Sequence, residues 1–328
     1  MKKSLFVGCL VLLIAGCTGK SPSSPTSSDN SSKTTTTQQS KESAKTPTAA
    51  NNPIELVNAG TEPRQQLRFA PPANTKQTVQ MTMKMDAAMS VGGQTQPTMA
   101  TPPMKMTMQA EVTKVDANGD IHANFSYSDA DVVTDAKTPP EMASAMRSQL
   151  KKIVGMSGTM VIDNQGNTKD VNLSVPDTAD PSIKQMAQQT VNSLKQISSP
   201  VPTEAIGVGA KWRYPSSITA NGMTLNQTAT YELIDLKDNV ATMQVNVEQL
   251  AAGQKMNQPG LPPGASVDLK SLKSQGNGKV TMALNRVLPM NSEMSVRSNM
   301  EMAVKEPGSE KETTMGMQSA MEINLESK

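Results

Sequence analysis

Apolar and polar residues alternate along most of the chain beyond residue 53. In the segment Gln77–Ala87, Val79, Met81, Met83 and Met85 occupy every second position, and mostly polar residues lie between them. A second segment repeats the alternation with slight slippage, at Met104, Met106, Met108, Ala110, Val112 and Val115. Because alternate side chains of a strand point to opposite faces, both segments are predicted to be strands with one buried face.

Polar residues and glycines between further alternating segments predict hairpin turns. The turn Asp116–Asp120 precedes a third alternating segment, and Asn164–Asn167 lies in the middle of a predicted hairpin, Gly158–Val175. Further strands are predicted in a hairpin within Trp212–Leu250, a hairpin within Gly276–Val296 and a terminal pair, Glu293–Val304 and Thr313–Leu325.

Two segments have apolar residues at helical spacing instead. In the first, Thr138 and Glu141 form a predicted capping box, and a stripe of apolar residues continues to Ile153. The second begins at Asp180-Pro181 and continues to Ile197. Both helices are predicted to lie across a sheet.

The order of strands and turns is similar in the two parts of the chain, which predicts an internal duplication. Residues 53–200 are the predicted first β-rich half, with both helices, and residues 201–328 are the second half. The predicted fold class is therefore α+β and predominantly antiparallel β. We expect a curved open sheet or half-barrel, with two helices packed on it, built from two similar halves.

The N-terminus has the order of features found in an export signal. Two lysines precede an apolar run, and the small residues Ala15 and Gly16 precede Cys17. The apolar run is about half of the roughly 20 residues that span a bilayer, so we expect cleavage and not a transmembrane helix. The ending Leu13–Cys17 resembles the lipobox of bacterial lipoproteins, in which the cysteine is lipidated and becomes the first residue. Residues 1–16 are thus a predicted signal peptide.

Residues 17–52 contain the predicted lipidated Cys17 and hardly an apolar side chain larger than alanine. Such a segment cannot bury enough apolar surface to offset its ordering entropy, so we predict a disordered Ser/Thr/Pro-rich tether. Thr18 resembles the residue found after the cysteine in lipoproteins sent to an outer membrane. The predicted localisation is the cell envelope, lipid-anchored, and facing the periplasm from the outer membrane if the host has two membranes.

Residue counts disfavour several functional classes. The two signal lysines account for the whole formal net charge of +2, so a neutral body has no charge with which to attract nucleic acid. The chain has 1 histidine, His122, and after lipidation it has no free thiol. The Asp116–Asp120 turn has Ile121 and Tyr127 where a calcium-binding EF-hand loop has glycine and glutamate. We predict no enzymatic activity, no catalytic residues, no cofactor, no metal site and no nucleic-acid partner.

The chain contains 25 methionines, and their arrangement on the predicted strands leaves three interpretations open. They can fill a core, line a pliable apolar cavity, or offer thioether sulfur to a soft metal such as Cu(I). The candidate ligand-binding residues are Met81, Met83, Met85, Met104, Met106 and Met108. The candidate partners are the membrane, through the N-terminal lipid, and a lipid or other hydrophobic molecule.

The segment Glu204–Tyr214, which contains Gly207, Gly209 and Lys211-Trp212, resembles a family of uncharacterised bacterial lipoproteins. Their domain of unknown function carries a Gly-x-Gly-x-Lys-Trp turn before a long strand. The resemblance implies export, anchoring and a β-rich fold, and the architecture also resembles half-barrel lipoprotein carriers. The predicted function is a membrane-anchored, non-enzymatic protein that binds or carries a hydrophobic ligand. The alternatives are a structural or envelope-assembly lipoprotein with a filled core, and a methionine-rich Cu(I)-binding protein.

Overall fold

The computed structural model describes residues 54–134, 138–175, 184, 187, 188, 191, 200–220, 223–256, 263–309 and 311–327. The predicted signal peptide and the whole of the predicted tether, including Cys17, lie outside these residues. Strands dominate the described part of the chain. They are β1 (Glu55–Asn58), β2 (Lys76–Val91), β3 (Gln94–Thr95), β4 (Met99–Ala100), β5 (Met104–Val115), β6 (Ile121–Val132), β7 (Ser157–Ile162), β8 (Thr168–Ser174), β9 (Lys211–Ala220), β10 (Met223–Lys237), β11 (Val240–Ala251), β12 (Gln254–Met256), β13 (Ser266–Ala283), β14 (Asn291–Lys305) and β15 (Glu312–Ser327).

All of these strands belong to one antiparallel sheet, which confirms the predicted β-rich fold. The order of its neighbours is β1-β9-β10-β11-β13-β14-β15-β2-β5-β6-β7-β8, with β12 beside β13 and with β3 and β4 beside β2. The last strand, β15, pairs with β2 from Met315 opposite Val91 to Ser327 opposite Val79. The early and late parts of the chain therefore form one continuous sheet. Strands β1 and β8 are its edges, so the sheet is open.

The main hydrophobic core joins the two ends of the sheet. It contains Trp212 of β9 and Leu233 of β10 from one end, and Ile121 of β6 and Val171 of β8 from the other. Because residues from distant strands meet in one core, the sheet curls around that core. We call the face that bears these residues the inner face, and the opposite face the outer face.

One α-helix, α1 (Pro140–Leu150), is followed by a short 3₁₀ turn. It begins one residue later than the predicted capping box requires, because Pro139 and not Thr138 is its N-cap. Its Ala143 and Leu150 pack on the inner face of β5 and β6, in a second hydrophobic cluster. Arg147 of the same helix donates from Nε–H to Asp131 Oδ1 at 2.5 Å, and this bond lowers the pKa of Asp131.

The second predicted helix and the predicted duplication stay predictions. Lys184, Ala187, Gln188 and Val191 are helical, but the rest of Asp180–Ile197 lies outside the described residues. The predicted hairpins are present in each part of the chain. The adjacent antiparallel pairs are β5 and β6, and β7 and β8, in the first part, and β10 and β11, β13 and β14, and β14 and β15 in the second.

The Gly-x-Gly-x-Lys-Trp turn lies in close contact with the segment that follows β1. Gly207 N–H donates to Ala59 O at 2.9 Å, and Thr61 N–H donates to Val208 O at 2.9 Å. A Cβ at Gly207 would overlap the Thr61 carbonyl oxygen, so only glycine allows this close approach. Gly209 adopts a φ of +84°, which favours glycine at this turn.

Trp212 follows this turn and is a central residue of the main core. Its ring stacks on that of Tyr231, with centroids 5.3 Å apart and planes 11° from parallel. Its Nε1–H donates to Pro200 O at 3.0 Å, so the one polar group of a fully buried side chain has a partner. The turn motif is thus accounted for by packing.

Candidate functional site

The six candidate methionines lie on β2 and β5, which are neighbours in the sheet. Met81 is directly opposite Met106, and Met83 is directly opposite Met104. Met85 lies beyond the paired part of β5 and is opposite Met321 of β15. The structure therefore brings the two methionine runs together on the inner face, which their spacing alone did not establish.

Four of these methionines pack against other parts of the protein. Met104 is buried in the cluster formed with α1, and Met83 and Met106 pack against that cluster. Met108 packs against the main core. These side chains contribute to the filled interior, and their role as ligand contacts stays a prediction.

A half-buried apolar surface covers the inner face of β2, β14 and β15. We call it the methionine surface and define it by Met85, Met89, Met294, Val296, Met317, Met321 and Ile323. Its members are directly opposite one another: Val296 faces Met321, which in turn faces Met85 on the next strand. Each side chain in this set keeps some contact with solvent, unlike the fully buried residues of the main core. Met294, Val296, Met317, Met321 and Ile323 were not among the candidates because a strand's own pattern does not say which strands become its neighbours.

A row of polar side chains crosses the inner face and passes between members of the methionine surface. We call it the polar row, and its members are Ser216, Gln227, Gln249, Ser274, Ser298 and Ser319. Each is the direct cross-strand partner of the next, over the six adjacent strands β9, β10, β11, β13, β14 and β15. Gln249 Nε2 donates to Gln227 Oε1 at 2.7 Å, and Ser298 Oγ donates to Ser274 Oγ at 2.9 Å.

The rows on both sides of the polar row are apolar. On the side toward the main core, the successive partners are Tyr214, Ala229, Val247, Gly276, Val296, Met321 and Met85. On the other side, the successive partners are Ala251, Leu272, Met300, Met317 and Met89. The polar row is therefore an interruption within an apolar face, and not its border.

Charged side chains on these strands lie on the outer face. Along β13, β14 and β15 the charged residues beside the methionine surface are outward-facing and exposed, namely Lys273, Lys279, Glu293, Arg297, Glu301, Glu322 and Glu326. Within these three described strands, the inner face offers methionine, valine, leucine, isoleucine, glycine and serine next to the methionine surface. Along these three strands the inner face is thus uncharged, and it combines thioether and aliphatic contacts with the hydroxyl groups of the polar row.

Besides Asp131, ionisable groups with shifted pKa values lie at the turns around His122, away from the methionine surface. Lys114 donates to Asp116, and His122 Nε2 lies 2.6 Å from Asp116 Oδ2; both partners hold the pKa of Asp116 below its usual value. Lys169 similarly lowers the pKa of Asp120. Among the described residues, no group of three or more His, Cys, Asp or Glu side chains is arranged to hold a metal ion.

Two grooves on the described part of the chain have volumes of about 580 and 540 Å³. The first runs along β8, and the second crosses β2, β5, β6 and β7. Neither is lined by a methionine, and polar side chains such as Asn172 and Gln109 contribute much of their walls. A ligand on the methionine surface would therefore lie on a half-open face and in neither groove.

Comparison with known proteins adds no relative. No protein family matches the chain, and no curated protein is similar to it. None of the helices in the described ranges combines the length and the hydropathy needed to cross a bilayer.

Proposed function

We propose that the protein is an exported lipoprotein, anchored through Cys17, whose folded body binds a hydrophobic ligand at the methionine surface without catalysing a reaction. The observation that carries the proposal is the half-buried, uncharged methionine surface on the inner face of β2, β14 and β15. A monomeric protein gains stability by burying such a surface, and contiguous apolar surface left in contact with water commonly marks an interaction site.

The chemistry of methionine supports a lipid as the ligand class. Its side chain is unbranched, with three rotatable bonds and a polarisable sulfur, so a surface rich in methionine repacks around varied apolar shapes. Met321 is opposite Met85 in the apolar row on one side of the polar row, and Met317 is opposite Met89 in the apolar row on its other side. A hydrocarbon chain laid across them would remove apolar area from water at about 25 cal/mol per Å².

The alternative is a structural or envelope-assembly lipoprotein with a filled interior. The packing of Met83, Met104 and Met106 around α1 favours this alternative, because part of the methionine-rich face is covered by the protein itself. The first function predicts that the protein binds an apolar probe, and the alternative predicts that it does not.

Substitution of Met321 by glutamate tests the proposed ligand site. We expect the wild-type protein to bind the uncharged probe N-phenyl-1-naphthylamine, and Met321→Glu to bind it about tenfold or more weakly, because a carboxylate in an apolar contact must be desolvated without a cation. Fluorescence titration measures the affinity.

The matched control is Ala320→Glu, since Ala320 is the neighbouring residue on the same strand and is exposed on the outer face. It adds the same charge and should leave probe affinity within about twofold. Circular dichroism of both variants checks that the fold is kept. Wild-type protein that binds no probe, or equal affinities for the two folded variants, would reject the methionine surface as a binding site.

A further inference from the structure

The polar row is chemically out of place on an apolar face. Ser274 is 3 % exposed, and the hydroxyl of a buried serine is costly unless it is hydrogen-bonded. Five strand spacings of about 4.8 Å separate the ends of the row, so it extends over roughly 24 Å. Six polar residues in one register on six adjacent strands form a continuous line of hydrogen-bonding groups.

Serines occupy the end of the row that meets the methionine surface. Ser298 lies between Val296 and Met300 on the inner face of β14, and Ser319 lies between Met317 and Met321 on β15. Ser298 donates its proton to Ser274, which leaves the Ser274 proton and the lone pairs of Ser298 outside that bond. A polar group placed here has both donors and acceptors within reach, and apolar contacts on either side.

We propose that the polar row binds the head group of a single-chain amphiphile and selects an uncharged, hydroxyl- or ester-bearing head group, as in a monoacylglycerol. This inference rests on the proposed function, because the hydrocarbon chain of the same ligand lies on the methionine surface. The neutrality of the inner face is the basis of the selection. A carboxylate or phosphate would lose its hydration beside Ser298 and Ser319, where the described inner-face positions of β13, β14 and β15 offer no lysine or arginine to pair with, whereas a hydroxyl or ester would exchange water for serine hydroxyls.

A purely structural role for the row makes a different prediction. A line of paired serines and glutamines also fixes the register of strands whose alternating pattern would tolerate a slip of two residues. In that case, removal of a row hydroxyl lowers stability but leaves the relative affinities for two ligands of equal chain length unchanged.

The test is competition against N-phenyl-1-naphthylamine on the full chain, with 1-monomyristoylglycerol and myristate as competitors near neutral pH. Wild-type protein should prefer the monoacylglycerol by about tenfold or more. Ser298→Ala and, separately, Ser319→Ala should each lower the affinity for the monoacylglycerol by about three- to tenfold, which is the effect of losing one neutral hydrogen bond. The affinities for myristate and for the probe should not change.

Ser295→Ala is the control, because Ser295 is an exposed outer-face serine of the same strand as Ser298. Equal displacement by the two competitors in the wild-type protein, or an unchanged preference in both row variants, overturns the role of the polar row. Either result with normal probe binding leaves the proposed function intact. A wild-type protein that does not bind the probe refutes both.

Discussion

Replacement of Trp212 with alanine is expected to lower the free energy of unfolding by about 3 to 5 kcal/mol. The side chain has no exposed surface, stacks on Tyr231 and donates to Pro200 O. Alanine would leave a cavity beneath the edge of the sheet, and the Pro200 carbonyl would lose its partner. Trp212 is the largest of the fully buried side chains in the described part of the chain.

Urea denaturation followed by circular dichroism measures this loss, because Trp212 is the single tryptophan and its own fluorescence disappears in the variant. Trp212→Phe is the matched control. It keeps an aromatic ring against Tyr231 and removes the hydrogen bond, so we expect it to cost clearly less than alanine. A loss below about 1 kcal/mol for Trp212→Ala would contradict the central place of this residue in the core.

Gly207→Ala is expected to release the segment of Ala59 and Thr61, which follows β1, from the turn at Gly207. We expect it to lower the free energy of unfolding by about 1 to 3 kcal/mol. The added Cβ would overlap the carbonyl oxygen of Thr61 and lie 3.0 Å from that of Pro63. Both neighbours are backbone atoms, which cannot move aside by a change of rotamer. The bonds Gly207 N–H to Ala59 O and Thr61 N–H to Val208 O should therefore weaken together.

Hydrogen exchange detects this release at β1, whose backbone pairs with β9. We expect faster exchange at Leu56 and Asn58 in Gly207→Ala, with little change in β14. Gly253→Ala is the control, because a Cβ there meets only ordinary contacts at 3.4 Å. Exchange at β1 as slow as in the wild-type protein would show that the close approach at Gly207 is not needed.

Local patterns in the sequence were sufficient to predict the long strands and most of their turns, but not the short strands β1, β3, β4 and β12. Alternation of Val79, Met81, Met83 and Met85 matches the inner face of β2, and the Asp116–Asp120 turn joins β5 to β6 as predicted. Such signals are local, because a side chain's face in a strand depends only on its position along that strand. They did not predict that β15 pairs with β2, since this contact joins residues more than 200 positions apart.

The site was predicted only in part, for the same reason. Alternate spacing says that Met104 and Met106 point to one face, but it does not say that α1 covers that face. The polar row has a signal in each strand, where a serine or glutamine such as Ser298 replaces an expected apolar residue. The six positions become one feature only when the register is known.

Native mass spectrometry of the body tests the proposed ligand binding most directly. The segment Asn51–Lys328 forms one compact unit. Under the proposed lipid anchoring at Cys17, proteolysis within residues 18–52 should release this unit from the membrane without detergent. We predict a population carrying one bound single-chain lipid, which solvent extraction removes and which an uncharged amphiphile restores. A mass equal to that of the polypeptide alone, together with no uptake of added amphiphile, would contradict the account.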